Sequence, residues 1–426
     1  MTIGVVGLGY VGLITATFFA KNGHTVGVYD IDDYRMESVE KGVTPFEEPD
    51  LSENLTKHGA NFRYANDVEH LRQVCDIIFI CVGTPQSPDG SVNLQYIKEV
   101  CNMLSGTKKV VVIKSTVVPG TTRQMALDYK IPNLAMVPEF LAEGSAFSDI
   151  EYANKVVIGT DTEHAQEELL CFYRNMYHGR STQIIATNTV NAEMIKYAQN
   201  SMLAMKITMM NGFGNIIKRL SGGDIKVVEA AIALDPRIDA RFLKAGAGYG
   251  GSCFTKDIAA IACKASPEFG VLLKQINNVN HDTQIRVADN AMRLNLQAKN
   301  IAILGLSFKP GTDDMRDAPS KYIIDRLVTN WKINEGDINV YDPMASSSAK
   351  VALREYNLNY THSIKECLQE TDLAIIVTEW DEIKAINPQM FKMYMKHPNV
   401  YDARRIYKPE TFKSIGLEYH GVGYRE

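Results

Sequence analysis

One thiol stands among three glycines, a lysine and an aspartate in Gly248-Tyr249-Gly250-Gly251-Ser252-Cys253-Phe254-Thr255-Lys256-Asp257. A thiolate is a strong nucleophile, and a neighbouring cation such as Lys256 favours that form. Gly248, Gly250 and Gly251 permit close backbone approach to a ligand, and Asp257 can orient a base or a water. Read alone, Cys253 is also consistent with an inert buried thiol. A second cluster opens the chain, where Gly7-Leu8-Gly9-Tyr10-Val11-Gly12 follows an apolar run and precedes a helical pattern, the context a dinucleotide fingerprint requires. Gly7 permits the tight turn, Gly9 lets backbone approach a pyrophosphate, and Gly12 allows close helix–strand packing. Asp30 ends the next strand, where its carboxylate can bind both ribose hydroxyls. Asp30, Asp32 and Asp33 would repel a 2′-phosphate, so NAD is expected over NADP, with Arg35 as a counter-signal. A plain alcohol dehydrogenase needs no nucleophilic thiol. A cysteine able to hold an aldehyde therefore points to a dehydrogenase that oxidises its substrate twice.

These groups need rigid elements to hold them. The first ~185 residues alternate Val/Ile runs with amphipathic stretches, with strands expected at 3–6, 25–29, 77–82, 110–114, 134–137 and 156–158. Continuous apolar runs separated by helices predict a parallel, doubly covered sheet. From Asn188 to Arg219 neither Pro nor an early Gly interrupts a helical period, and the helix would span about 45 Å. Met194, Tyr197, Met202, Met205 and Met209 recur along it and read as core or subunit interface. Helical patterns continue at 225–234 and 275–294. At Asn300 the alternation restarts, with strands expected at 301–304, 338–341, 373–377 and 399–401. The expected fold is α/β: two Rossmann-like doubly wound domains joined by a long central helix and a helical middle domain, with boundaries 1–187, 188–295 and 296–426. In the second lobe Leu304-Gly305-Leu306-Ser307-Phe308-Lys309 lacks the glycine triplet, so it is expected to bind something other than a dinucleotide.

At 426 residues the chain predicts two or three domains, and 45% hydrophobic with 22% charged residues is a globular composition. The net charge of −5 is spread along the chain with no long basic run, which argues against nucleic acid or an anionic membrane as partner. Cysteines 75, 81, 101, 171, 253, 263 and 367 are odd in number and contain no C-x-x-C pair, so no disulfide framework or zinc site is expected. No run approaches the roughly 20 apolar residues of a membrane span, and no leader-like segment precedes the first strand. The expectation is a cytoplasmic, reduced protein without a metal.

Several motifs, in order along essentially the whole chain, resemble the UDP-glucose 6-dehydrogenase family, within the wider nucleotide-sugar dehydrogenases. They are the fingerprint, Cys81-Val82-Gly83-Thr84-Pro85, Lys114-Ser115-Thr116-Val117-Val118-Pro119-Gly120-Thr121, Pro138-Glu139-Phe140-Leu141-Ala142-Glu143-Gly144, residues 193–200, residues 248–257 and residues 309–320. The resemblance implies two successive NAD-dependent oxidations at C6 of the sugar, from alcohol to carboxylate. Cys253 would add to the aldehyde, the thiohemiacetal would lose a second hydride, and the thioester would be hydrolysed. Lys196 and Asn200, at i and i+4 on one helix face, match the pair that stabilises an alkoxide-like oxygen. Asp257 matches a carboxylate that works with an ordered water, Thr116 a residue near that water and the nicotinamide, and Glu139 the acid of thioester hydrolysis.

The same resemblance assigns the cofactor to Gly7, Gly9, Tyr10, Val11, Gly12, Asp30, Arg35, Thr84, Thr116, Glu143, Lys256 and Arg316. It assigns the UDP-sugar to Glu139, Phe140, Leu141, Glu143, Lys196, Asn200, Phe242, Leu243, Lys244, Gly250, Cys253, Phe254, Lys309 and Arg404, with Arg237 supplied by the second subunit of a homodimer. Thr255 and Gly246-Ala247 depart from the family's usual residues without removing a chemical group. UDP-glucose is the expected substrate; UDP-GlcNAc, UDP-ManNAc or GDP-mannose is the alternative for the same chemistry. A simple hydroxy-acid dehydrogenase would leave Cys253 and the cationic third domain unexplained. A non-catalytic NAD-binding module would leave Lys196, Asn200, Cys253 and Asp257 without purpose.

Overall fold

The computed structural model describes residues 1–426 and resolves into two compact units, Met1–Gln199 and Asn200–Glu426. In the first, eight strands form one sheet: β1 (Thr2–Val6), β2 (Thr25–Tyr29), β3 (Phe62–Tyr64), β4 (Ile77–Ile80), β5 (Val110–Ile113), β6 (Leu134–Met136), β7 (Lys155–Gly159) and β8 (Gln183–Thr187). Their order is β3-β2-β1-β4-β5-β6-β7-β8. The order reverses between β1 and β4, where loops from neighbouring strands diverge and leave a crevice at their carboxyl ends. Alternate residues of each strand feed opposite cores. Ile3, Val5, Ile77 and Phe79 pack with Phe18, Phe19 and Phe172, whereas Val6, Ile78, Ile80 and Val111 pack with Leu71, Ile97 and Met125.

One pairing departs from the all-parallel expectation: β6 and β7 run antiparallel, joined through Met136 and Gly159. Both strands are apolar and buried, so their composition carries no trace of direction. The strands β3 and β8 were not expected either. They lie at the two edges of the sheet, and β8 is largely exposed, so neither bears a continuous apolar run.

In the second unit β9 (Ile301–Leu304), β10 (Ile338–Tyr341), β11 (Asn359–Tyr360), β12 (Leu373–Ile376), β13 (Asn399–Asp402) and β14 (His420–Gly421) form a parallel sheet in the order β11-β10-β9-β12-β13-β14. The helices of this unit share its core, since Met210, Ile225, Val287 and Ala288 pack with Ile301, Ile303 and Val377. The expected long helix runs over Thr189–Ile217, and the backbone N–H of Asn191 donates to Asn188 Oδ1 at 2.8 Å to start it. The pattern at 275–294 belongs to a longer helix, Pro267–Met292, which Ser266 caps and Pro267 opens. Of the methionine stripe, Tyr197 is buried while Met194, Met202 and Met209 are exposed.

Candidate active site

In the first unit the fingerprint turn leaves β1 and enters the helix Tyr10–Lys21. Gly7 has φ +95°, and a Cβ on Gly12 would lie 1.8 Å from the Gly7 carbonyl oxygen. Both positions therefore require glycine. A Cβ on Gly9 would meet only Arg35, at 3.9 Å, so the backbone there is open to close approach. Asp30, nearly buried, accepts from the N–H of Leu8 at 2.5 Å and of Asp32 at 2.9 Å, with Arg35 at 3.6 Å. A carboxylate has about four acceptor positions, so capacity for a ribose diol remains. Tyr10 and Val11 begin the helix, and Thr84 and Thr116 lie on the loops after β4 and β5, beside the crevice. These residues fit a dinucleotide.

The second sheet repeats the turn with different consequences. Gly305 has φ +92° and its N–H donates to Tyr341 O at 2.8 Å, as Gly7 N–H does to Tyr29 O. Asp342 stands where Asp30 does, but it accepts from the N–H groups of Leu306, Ser307, Met344 and Ala345 and from Trp380 Nε1. Its acceptor positions are filled by protein donors. The helix Pro319–Thr329 starts only after an excursion over residues 308–318, so no helix N-terminus meets the turn.

Glu139 and Lys196 form a buried pair at 3.3 Å, and Glu139 Oε2 also accepts from Leu141 N–H at 2.6 Å. The Lys196 ammonium lies 5.6 Å from the centre of the Phe140 ring, over which Lys155 stands at 4.6 Å. Lys114, to which no role was assigned, is buried at the end of β5. Burial lowers its pKa, Glu139 pulls it back up and Lys196 pushes it down. Glu139 therefore has two cations as neighbours.

Glu48 was also missed. It accepts from Tyr10 Oη at 2.5 Å and from the N–H groups of Gly144 and Ala146 at 2.7 Å each, tying the fingerprint tyrosine to the loop that carries Glu143. Tyr10 loses its proton far less readily as a result, first through burial and then through Glu48. Glu193, fully buried, accepts from Gly120 and Thr122 N–H at 2.6 and 2.7 Å and so satisfies the start of the helix Thr121–Asp128. Motif position alone pointed to Lys114 and Glu193. Nothing local marked Glu48.

In the second unit Cys253 is exposed and immediately precedes the helix Phe254–Ala262. Helix N-termini favour negative charge. Asp257, one turn on and buried, accepts from Asn200 Nδ2 at 2.7 Å and from Lys256 Nζ at 2.8 Å. Lys256 is thus held by a protein carboxylate. Gly250 cannot carry a side chain, because its Cβ would approach Asp317 O to 2.4 Å. Phe242, at φ +64°, and Phe254 lie 6.3 Å apart, Leu243 is buried between exposed Phe242 and Lys244, and Phe254 meets Tyr249 edge-on. Lys309 covers the Phe308 ring at 5.4 Å. Arg316 pairs with Asp314 at 2.8 Å, while its carbonyl accepts from Gly251 N–H. Arg404 contacts three backbone carbonyls, those of Gly248, Phe308 and Val377. Arg237 is exposed and bonded to Asp235.

Three consecutive segments match one family: its NAD binding domain at residues 1–177, its central domain at 190–292 and its UDP binding domain at 302–409. The chain belongs to the UDP-glucose/GDP-mannose dehydrogenase family. It is an NAD-dependent dehydrogenase. It is 39% identical to UDP-glucose 6-dehydrogenase YwqF of Bacillus subtilis, over 99% of this chain and 98% of that one. It is 34% identical to UDP-glucose 6-dehydrogenase of Rickettsia typhi, over 99% of each. Among solved structures, a UDP-glucose dehydrogenase from Pyrobaculum islandicum matches with a TM-score of 0.87 and 31% identity, over 99% and 98% of the two chains. A UDP-D-ManNAc dehydrogenase from Pyrococcus horikoshii matches with a TM-score of 0.85 and 27% identity, over 99% of each. No helix is long and apolar enough to cross a membrane.

Proposed function

We propose that the protein oxidises UDP-glucose at C6 to UDP-glucuronate in two NAD-dependent steps through a covalent intermediate on Cys253. The observation that carries this reading is Cys253 at a helix N-terminus, with Asp257 one turn on held by Asn200 and Lys256. When bound, NAD supplies the hydride acceptor of each oxidation. In the first, the C6 hydroxyl gives its proton to a water oriented by Asp257 and Thr116, while Lys196 and Asn200 stabilise the charge gathering on oxygen. The Cys253 thiolate then adds to the aldehyde carbon, and the oxygen takes a proton, giving a thiohemiacetal. The second oxidation removes the C6 hydrogen as hydride and the hydroxyl proton, leaving a thioester. Water activated by Glu139 attacks the thioester, and the thiolate leaves.

UDP-glucose is preferred because relatives at 34–39% identity over the full length carry that name. The match to a UDP-D-ManNAc enzyme keeps an N-acetylhexosamine nucleotide as the second reading. In this assignment Lys309 and the uncommitted N–H bonds of Arg404 face the diphosphate, residues 242–244 border the sugar, and the three family segments act as cofactor, assembly and nucleotide-sugar domains. A homodimer supplying Arg237 in trans is supported by the apolar stripe Met202, Met209, Phe213 and Ile216, exposed at helical spacing. Seven free cysteines fit a cytoplasmic setting.

The test is a panel of UDP-glucose, UDP-GlcNAc, UDP-ManNAc and GDP-mannose with NADH counted per product. Two NADH per uronate, with UDP-glucose turned over fastest, is expected. One NADH per turnover with a released aldehyde would refute the mechanism, and faster turnover of an acetamido sugar would replace the substrate.

A further inference from the structure

The glycine loop ahead of Cys253 cannot hold its own shape, since glycine restricts backbone least. Its order comes from outside. On one side the helix Pro267–Met292 presents Asn280 and Gln284, both buried and one turn apart. Asn280 accepts from Tyr249 N–H at 2.9 Å and donates to Tyr249 O at 3.0 Å, as a neighbouring strand would. Gln284 donates to the same carbonyl at 2.8 Å.

On the other side stands Arg404. Its Nε donates to Val377 O at 2.6 Å, Nη1 to Gly248 O at 3.2 Å and Nη2 to Phe308 O at 3.3 Å, and Glu379 lies 3.2 Å from Nε. Of five guanidinium N–H bonds, three thus reach the loop after β12, the excursion after β9 and the nucleophile loop. The backbone of Arg404 is itself fixed, its N–H donating to buried Asp402 at 3.0 Å. The approach is close: a Cβ on Gly246 would lie 3.1 Å from Ala403 O.

We propose that Arg404 is a positioning residue for Cys253, acting as a three-point backbone clamp that works with Asn280 and Gln284 to set the nucleophile loop. The inference rests on Cys253 being the nucleophile, and it gives Arg404 a task beyond its charge. The three bonds leave three separate nitrogens of one rigid plane, whereas an ammonium offers its three donors from a single nitrogen on a flexible stem. Lysine at position 404 therefore keeps the charge and loses the clamp.

The test compares Arg404→Lys and Asn280→Asp with the native enzyme by three readouts. These are the iodoacetamide alkylation rate of Cys253, located by peptide mass because Cys171 and Cys263 are also exposed, UDP affinity by calorimetry, and kcat. Alkylation is expected to fall at least threefold and kcat about 100-fold in both variants, as for a misplaced reacting group, with UDP affinity of Asn280→Asp within threefold of native. Native alkylation and kcat in Arg404→Lys, with UDP affinity reduced, would overturn the clamp and leave a purely ionic role. Acid formation surviving in Cys253→Ser would instead overturn the nucleophile assignment beneath it.

Discussion

Asn200 and Asp257 meet at 2.7 Å, both buried, with Lys256 taking the second carboxylate oxygen at 2.8 Å. The carboxylate is thus oriented from two sides before any substrate binds. Asp257→Asn keeps the shape and removes the proposed base. We expect kcat to fall by about 10²–10⁴ with KM for NAD nearly unchanged, measured by steady-state kinetics. A change in KM alone would assign Asp257 to binding.

Lys196 and Glu139 predict a different signature. Lys196→Met removes the proposed oxyanion donor, and kcat should drop by about 10²–10³. Stranding a buried charge ordinarily costs about 3–5 kcal/mol. Lys114 remains beside Glu139, so thermal unfolding should register less than that. Glu139→Gln should leave both oxidations and accumulate the thioester, visible as an adduct on Cys253 by intact mass after acid quench. Absence of the adduct would move hydrolysis to another group.

The fingerprint gives a steric prediction. Gly12→Ala sets a methyl 1.8 Å from the Gly7 carbonyl oxygen, a backbone atom that cannot swing aside from a methyl fixed on Cα. Overpacking of this kind costs about 1–3 kcal/mol or more. A lowered Tm and loss of NAD binding, followed by calorimetry, are expected. Asp30→Ala should weaken NAD by losing the ribose acceptor, and the NADP-to-NAD ratio of kcat/KM should rise.

Lys218 carries a pH dependence. Burial, followed by Arg293, Arg286 and Arg219, lowers its pKa to about 8. Below that pH the folded state bears the cost of a charged, crowded ammonium. Between about 8 and the ordinary lysine value near 10.4 the unfolded chain binds more protons, so this group's contribution to stability rises with pH. Lys218→Met should therefore raise Tm at pH 7 and flatten the slope of Tm between pH 8 and 10. An unchanged slope would show that the ammonium is solvated.

The apolar stripe on the long helix predicts assembly. Met209→Glu with Phe213→Glu should shift the sedimentation coefficient toward that of a monomer. If Arg237 acts in trans, the same double variant should lose turnover while NAD binding persists. A native sedimentation profile would exclude this face as the interface.

The residue types that do chemistry were legible in the chain because their signals are local. A glycine triplet after an apolar run states a turn, a 3.6-residue period states the long helix, and Cys253 beside Lys256 and Asp257 marks a candidate nucleophile. The partners of those residues were not. Lys196 bonds Glu139, 57 positions before it, and Asn200 bonds Asp257, 57 positions after it. Spacing had placed Lys196 and Asn200 on one helix face without naming either partner. Glu48, Glu193 and Lys114 are buried charges, and nothing in a charged residue's neighbours along the chain says whether it will be buried. The direction of β7 was equally silent, since a buried apolar strand has the same composition either way. Composition and period thus determined the elements, and local motifs marked the candidate reactive groups. Which carboxylate meets which cation, and what holds a glycine loop still, was decided only when distant segments closed around groups that cannot be buried unpaired.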